Sequence, residues 1–126
     1  MMEDAFTTAE RIRDAVRTVE LPDGTGERLK VYDDPKAEVH PPCAIVGLPE
    51  LQLEGISSEP TAARFPVAIM VSDNKASANK LLKLVPLVAT AIRELVEDAE
   101  IPGDIFPAII EIGGTQLPGY MILVEV

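Results

Sequence analysis

The chain has 126 residues, a formal net charge of −10 from 21 acidic and 11 basic residues, and a hydrophobic content of 47%. That length suits one domain with a sizeable core, and the acidic balance disfavours binding to a phosphate backbone, which needs a basic surface. A single cysteine, Cys43, excludes an internal disulfide, and an aromatic content of 4% without Trp calls for an aliphatic core.

The opening Met-Met-Glu-Asp leads into no apolar h-region, so no signal peptide is expected. No apolar run approaches the ~20 residues that a membrane helix needs. From about Asp4 to Glu20, the recurrence of Phe6, Ala9, Ile12, Val16 and Val19 every three or four residues predicts an amphipathic helix. Thr7-Thr8-Ala9-Glu10 is a capping-box pattern that would start it as late as Thr8. Arg11, Arg13 and Arg17 fall off this stripe. They read either as a solvated face or as a basic strip that meets an acidic neighbour.

Pro22–Glu27 is a turn-rich loop. It lacks the Lys-Ser or Lys-Thr of a phosphate loop and has no buried strand before it, so it reads as a connection. Leu29–Tyr32 is a short alternating strand ended by Asp33-Asp34-Pro35. Adjacent strand positions point to opposite faces, so the two aspartates suit a turn better than a metal site. His40 and Cys43 are the only His and Cys in the chain, too few for a zinc site. Pro41 and Pro42 between them predict an extended entry into a strand over Cys43–Leu48, apolar on both faces, with Cys43 as a small apolar residue.

Between Pro49 and Ala63, Leu51, Leu53 and Ile56 stand among polar residues. This segment reads as a hairpin arm or an ordered loop. Val67–Val71 is apolar at every position and predicts a strand buried on both faces. Ser72, Asp73 and Asn74 then supply N-cap chemistry. The apolar stripe Leu81, Leu84, Val85, Val88, Ala91, Ile92, Leu95 and Val96 stays in phase across Pro86. It predicts one kinked helix from about Lys75 to Ala99, or two abutting segments. Glu94, Glu97, Asp98 and Glu100 crowd its far end, where negative charge opposes the helix dipole by about 0.3–1 kcal/mol. They form a solvated acidic face, a surface that meets basic residues of a neighbour, or a surface that repels DNA. After Ile101–Asp104, Phe106–Ile112 and Tyr120–Val126 predict an antiparallel hairpin whose connection is bracketed by Gly113-Gly114 and Pro118-Gly119. So apolar a last strand is expected inside the sheet.

The fold class expected is α/β (α+β), with a mixed, largely antiparallel sheet flanked by the N-terminal helix and the long kinked central helix, in one domain over 1–126. No catalytic, cofactor-binding or metal-binding residue is assigned. One His and one Cys build neither a Ser-His-Asp set nor a metal cluster.

Three stretches carry a resemblance. They are Val31–Pro35 leading to Pro41–Gly47, Phe65–Ser72 with its helix, and Gly119-Tyr120 opening the last strand. In layout, over nearly the whole chain, this resembles the tail terminator (tail completion) proteins of long-tailed phages and prophages, particularly those of actinobacterial hosts. The resemblance implies a non-enzymatic virion protein at the tail–head junction, assembled in the host cytoplasm without cofactor or membrane. It implies a ring, typically a hexamer, that stops growth of the tail tube and contacts the tube protein and the head–tail connector protein. DNA would pass through without specific binding. Subunit contacts would then fall to Leu51, Leu53 and Ile56, and to pairing of Arg11, Arg13 or Arg17 with Glu94, Glu97 or Asp98 of a neighbour. The alternatives are another neck component facing the portal assembly, and a small α/β ligand-binding domain with a polar pocket near Gly24–Gly26 or Gly113-Gly114.

Overall fold

A computed structural model describes residues 5–22, 24–32, 40–53, 60–71, 75–112 and 114–126, with backbone alone at 53, 60–61, 75–78 and 112. Among the described residues, two helices and six strands follow in the order α1 (Ala5–Arg17), β1 (Lys30–Tyr32), β2 (Cys43–Val46), β3 (Glu50–Leu53), β4 (Pro60–Met70), α2 (Lys75–Leu95), β5 (Phe106–Ile112) and β6 (Thr115–Glu125). The fold is α+β with a mixed sheet in the order β1-β2-β4-β6-β5, and β3 also pairs with β4. Only β1 and β2 run parallel; the other pairings are antiparallel.

β4 is the axis of the sheet. Its C-terminal half pairs with β2 through Val46↔Val67 to Cys43↔Met70, and its N-terminal half pairs with β3 through Glu50↔Arg64 to Leu53↔Pro60. β2 and β3 therefore lie along the same side of β4, interrupted at Gly47–Pro49. Gly47 bridges the interruption by donating its N–H to Pro66 O at 2.8 Å. On the other side β6 follows β4 from Arg64↔Glu125 to Met70↔Gly119.

The continuous apolar run of β4 is buried on both faces, as its pattern requires. Phe65, Val67 and Ile69 join Ala44, Val46, Ile122 and Val124 beneath the helices, where Ile12, Val16, Leu84, Val88 and Ile92 meet them. The alternate residues Ala68 and Met70 form a second, smaller cluster with Cys43 and Ile45 on the opposite face. β6 lies between β4 and β5, so the last strand is internal to the sheet.

α2 is one continuous α-helix with Pro86 inside it, not two segments. Pro86 supplies no N–H to the Leu82 carbonyl, one turn before it, yet is exposed, so water reaches that face of the helix. Leu95 departs from the expected stripe and is 58% exposed, although Val96 directly after it is buried in the core. The β5–β6 turn is also tighter than expected. Ile112↔Thr115 close a two-residue connection in which Gly114 has φ 81, and Pro118 and Gly119 lie within β6. Pro118 accepts a hydrogen bond from Val71 N at 3.2 Å and has no N–H to return, which ends the β4–β6 ladder there.

α1 is shorter than its pattern suggests, and Thr18 Oγ1 donates to the Ala15 carbonyl at its end. Past it, Leu21 N donates to Glu27 O and Leu29 N to Val19 O, both at 2.8 Å, so the Pro22–Glu27 loop closes as a small hairpin-like turn into β1. The Asp33-Asp34 pair and the Ser72–Asn74 cap lie outside the described residues.

Candidate functional site

The described residues of segment 49–63 form a hairpin arm rather than a loop. β3 and β4 pair antiparallel, with a register shift between Gln52 and Leu53. β6 follows β4 only as far as Ala63, which exchanges hydrogen bonds of 3.1 and 2.9 Å with Val126. Among the described residues, β4 before that point pairs with β3 alone, so the arm projects past the body of the sheet. Leu51 is 47% exposed, beside exposed Glu50 and Gln52. Leu53 is described by its backbone only, and Ile56 lies outside the described residues. Arg64 anchors the base of the arm, with Nε 3.4 Å from the Glu125 carboxylate across the ladder.

Leu48, just before β3, is exposed in a way the sequence did not suggest. Read as the last residue of an apolar strand, it is instead 91% exposed, because the strand ends at Val46 and Leu48 sits in the β2–β3 interruption. The flanking Gly47 and Pro49 are the local signal for that break.

The α1 arginines are not equivalent. Arg13, expected off the stripe, is buried with 7% exposure and forms an ion pair with Glu10 one turn earlier. The covered face of α1 is broader than its apolar stripe and includes Thr8 and Arg13, while Phe6 is 70% exposed. Arg13 is therefore withdrawn from any contact with a neighbour. Arg17 is exposed and pairs with Asp14 at 2.9 Å within its own helix. Arg11 and Glu97 line the same shallow depression between α1 and the end of α2, about 350 Å³ in volume, with Leu95 beside them. The basic and acidic groups expected to meet across two subunits thus include one pair brought to a single hollow of one chain. Glu94 is exposed on the last turn of α2, and Asp98, just past it, holds φ 64, a left-handed conformation of the kind that ends helices.

A second apolar surface left no sequence signal. The two helices do not reach the outer strand, and a groove of about 490 Å³ opens between the first half of α2 and β5. Leu81, Leu82, Pro107, Ile109, Pro118 and Tyr120 line it, with Ile109 68% and Leu82 60% exposed. Gly24 and Gly26 have φ 78 and 77 and serve the turn, Gly114 serves the β5–β6 turn, and Gly113 lies outside the described residues.

Cys43 is fully buried, and burial pushes its thiol from 9.0 up to about 11, with the Lys30 ammonium pulling the other way. A protonated, buried thiol is a poor nucleophile. His40 is exposed, so the two residues do not share an environment. Among the described residues, no group of three His, Cys, Asp or Glu is placed to hold a metal ion, and no helix is long and apolar enough to cross a membrane.

Compared with known proteins, the chain matches no family model, no curated protein and no solved structure.

Proposed function

We propose that this chain is a ring-forming structural protein of the tail–head junction of a long-tailed phage or prophage, in which copies cap the tail tube and stop its growth. The observation that carries the reading is the β3–β4 arm. It extends beyond the end of β6, with Leu51 exposed at its base beside Glu50 and Leu48 exposed just before β3, and large exposed apolar residues near a projecting element mark a contact surface. The acidic balance supports the same reading, since a negatively charged ring lets DNA pass without holding it. In this account the function is assembly, with no catalytic step and no cofactor. The partners are further copies of the chain, six by analogy with the resembling family, together with the tube protein and the head–tail connector.

The test is growth of the cognate tube protein with and without this chain. Substoichiometric addition is expected to shorten the tubes and leave a density at one end. Tubes of unchanged length and bare ends would contradict the proposal. A chain that binds the portal assembly but not the tube would belong elsewhere in the neck.

A further inference from the structure

We infer that the outward face of α2 pairs antiparallel with the same face of a second copy of this chain, about a two-fold axis at Leu87. The inference goes beyond the ring reading and does not depend on the tail role. Lys80, Lys83, Leu87, Thr90 and Glu94 recur at alternating intervals of three and four residues, the spacing that keeps side chains on one stripe of a helix and along the seam of a helix pair. All five are exposed, on the side of α2 away from the core that Leu84, Val88 and Ile92 enter. Leu87 is 45% exposed and stands at the middle of the stripe, seven residues from Lys80 and seven from Glu94.

The order of charge along the stripe selects the occupant. From Lys80 to Arg93 the sequence has no acidic residue, and from Glu94 to Asp104 it has no basic one. The stripe is therefore basic at one end and acidic at the other. Among the described residues, Lys80, Lys83 and Glu94 form no ion pair within their own chain. The stability of α2 does not account for this order, since negative charge in the last turn opposes the helix dipole. A second copy laid antiparallel, with Leu87 against Leu87, brings each Lys80 opposite the other copy's Glu94 and supplies a cation at the acidic end of both helices. A parallel copy would set lysine against lysine and glutamate against glutamate. Exposed ion pairs fix direction and register more than affinity, and Leu87 provides the apolar contact at the centre. Nucleic acid is the poorer occupant, because Glu94, with exposed Glu97 and Asp98 just past the helix, would face its phosphates. The contact uses one surface on both copies and is isologous, so it pairs copies or joins rings and does not itself close a ring.

Disulfide trapping combined with charge reversal tests this, since the native Cys43 is buried. Under mild oxidation, Leu87→Cys is expected to give a covalent homodimer at least about tenfold faster than Phe106→Cys, because pairing raises the effective concentration of one thiol pair only. Phe106 lies on β5 with a matching exposure of 44%. Adding Lys80→Glu to Leu87→Cys is expected to bring the rate down to that of Phe106→Cys, because glutamate then faces glutamate. Adding Lys80→Glu and Glu94→Lys together is expected to restore it, because opposite charges face each other again. Equal rates for Leu87→Cys and Phe106→Cys would overturn the inference. So would a Leu87→Cys dimer that forms at the same rate with and without Lys80→Glu. Specific cross-linking that follows the charges in a protein that leaves tubes unshortened would uphold the pairing and refute the tail role. Absence of that cross-link in a protein that shortens tubes would do the reverse.

Discussion

Gly119 and Ile69 meet across the β4–β6 ladder so closely that a Cβ on Gly119 would fall against the Ile69 carbonyl oxygen. The same Cβ would stand 2.9 Å from Ile110 Cγ1 on β5. Backbone is the obstacle on one side, so no side-chain rotation relieves the clash. Gly119→Ala is expected to destabilise by about 1–3 kcal/mol through overpacking. At Gly103, where an added Cβ meets nothing within 4 Å, alanine is expected to be neutral or slightly stabilising. Thermal unfolding of the two variants checks the contrast, and equal melting temperatures would refute it.

Arg13 and Arg17 lie one turn apart on α1 and are expected to respond differently to truncation. Arg13 is buried against the core and paired with Glu10, so Arg13→Ala should cost about 1–3 kcal/mol, largely through lost packing of its aliphatic stem. Arg17 pairs with Asp14 in solvent, so Arg17→Ala should change stability by less than about 0.5 kcal/mol. Denaturant midpoints in which Arg17→Ala is the more damaging variant would contradict the placement of these side chains.

Cys43 links stability to alkaline pH. Its folded-state value of about 11 lies above the 9.0 of the free thiol, so the fold favours the protonated form. The unfolded chain alone loses this proton as pH rises above 9.0, and the contribution is gone by about 11. The loss amounts to about 2–3 kcal/mol across that window. Cys43→Ala or Cys43→Val is expected to flatten this part of the stability–pH curve. The native thiol should also react with an aromatic disulfide reagent only on unfolding, and rapid labelling of the native protein would show that the site is open.

Asp98 takes a left-handed conformation just past α2, with φ 64. That conformation costs an ordinary residue roughly 1 kcal/mol and glycine nothing. Asp98→Gly is therefore expected to keep or raise stability by up to about 1 kcal/mol, and Asp98→Val to lower it by at least as much. If instead Asp98→Gly left the melting temperature unchanged but abolished assembly, Asp98 would be a contact residue and not only a helix stop.

β6 lies between β4 and β5 and contributes Ile122 and Val124 to the core. Removing the last five residues strips Arg64–Val67 of β4 of their β6 partners and deletes those two side chains, while β5 keeps its partners at 115–121. The truncated chain is expected to be insoluble or to lose its cooperative transition. A soluble, cooperatively melting product would show that β6 is dispensable.

Much of the fold is legible in the sequence because burial writes itself into local pattern. The uninterrupted apolar run Val67–Met70 predicts a strand covered on both faces, and the spacing of Leu84, Val88 and Ile92 predicts the covered face of α2. What escapes local pattern is set by elements distant in sequence. Pro118-Gly119 has the composition of a turn but sits inside β6, because the Ile69 backbone leaves room only for glycine there. Arg13 looks solvent-facing by residue type, yet the packing of α1 covers it. Leu48 reads as strand interior and is exposed where the strand stops short. The α2–β5 groove exists because the sheet is wider than the helical layer, and no periodicity along the chain records that width.

The most direct measurement of the central claim is native mass across protein concentration, with and without the cognate tube protein, combined with negative-stain imaging of the largest species. The account predicts one closed assembly that plateaus at a fixed stoichiometry, with a central hole, and that sits on tube ends. A chain that stays monomeric at every concentration, and that leaves tube ends bare when tube protein is present, would contradict it.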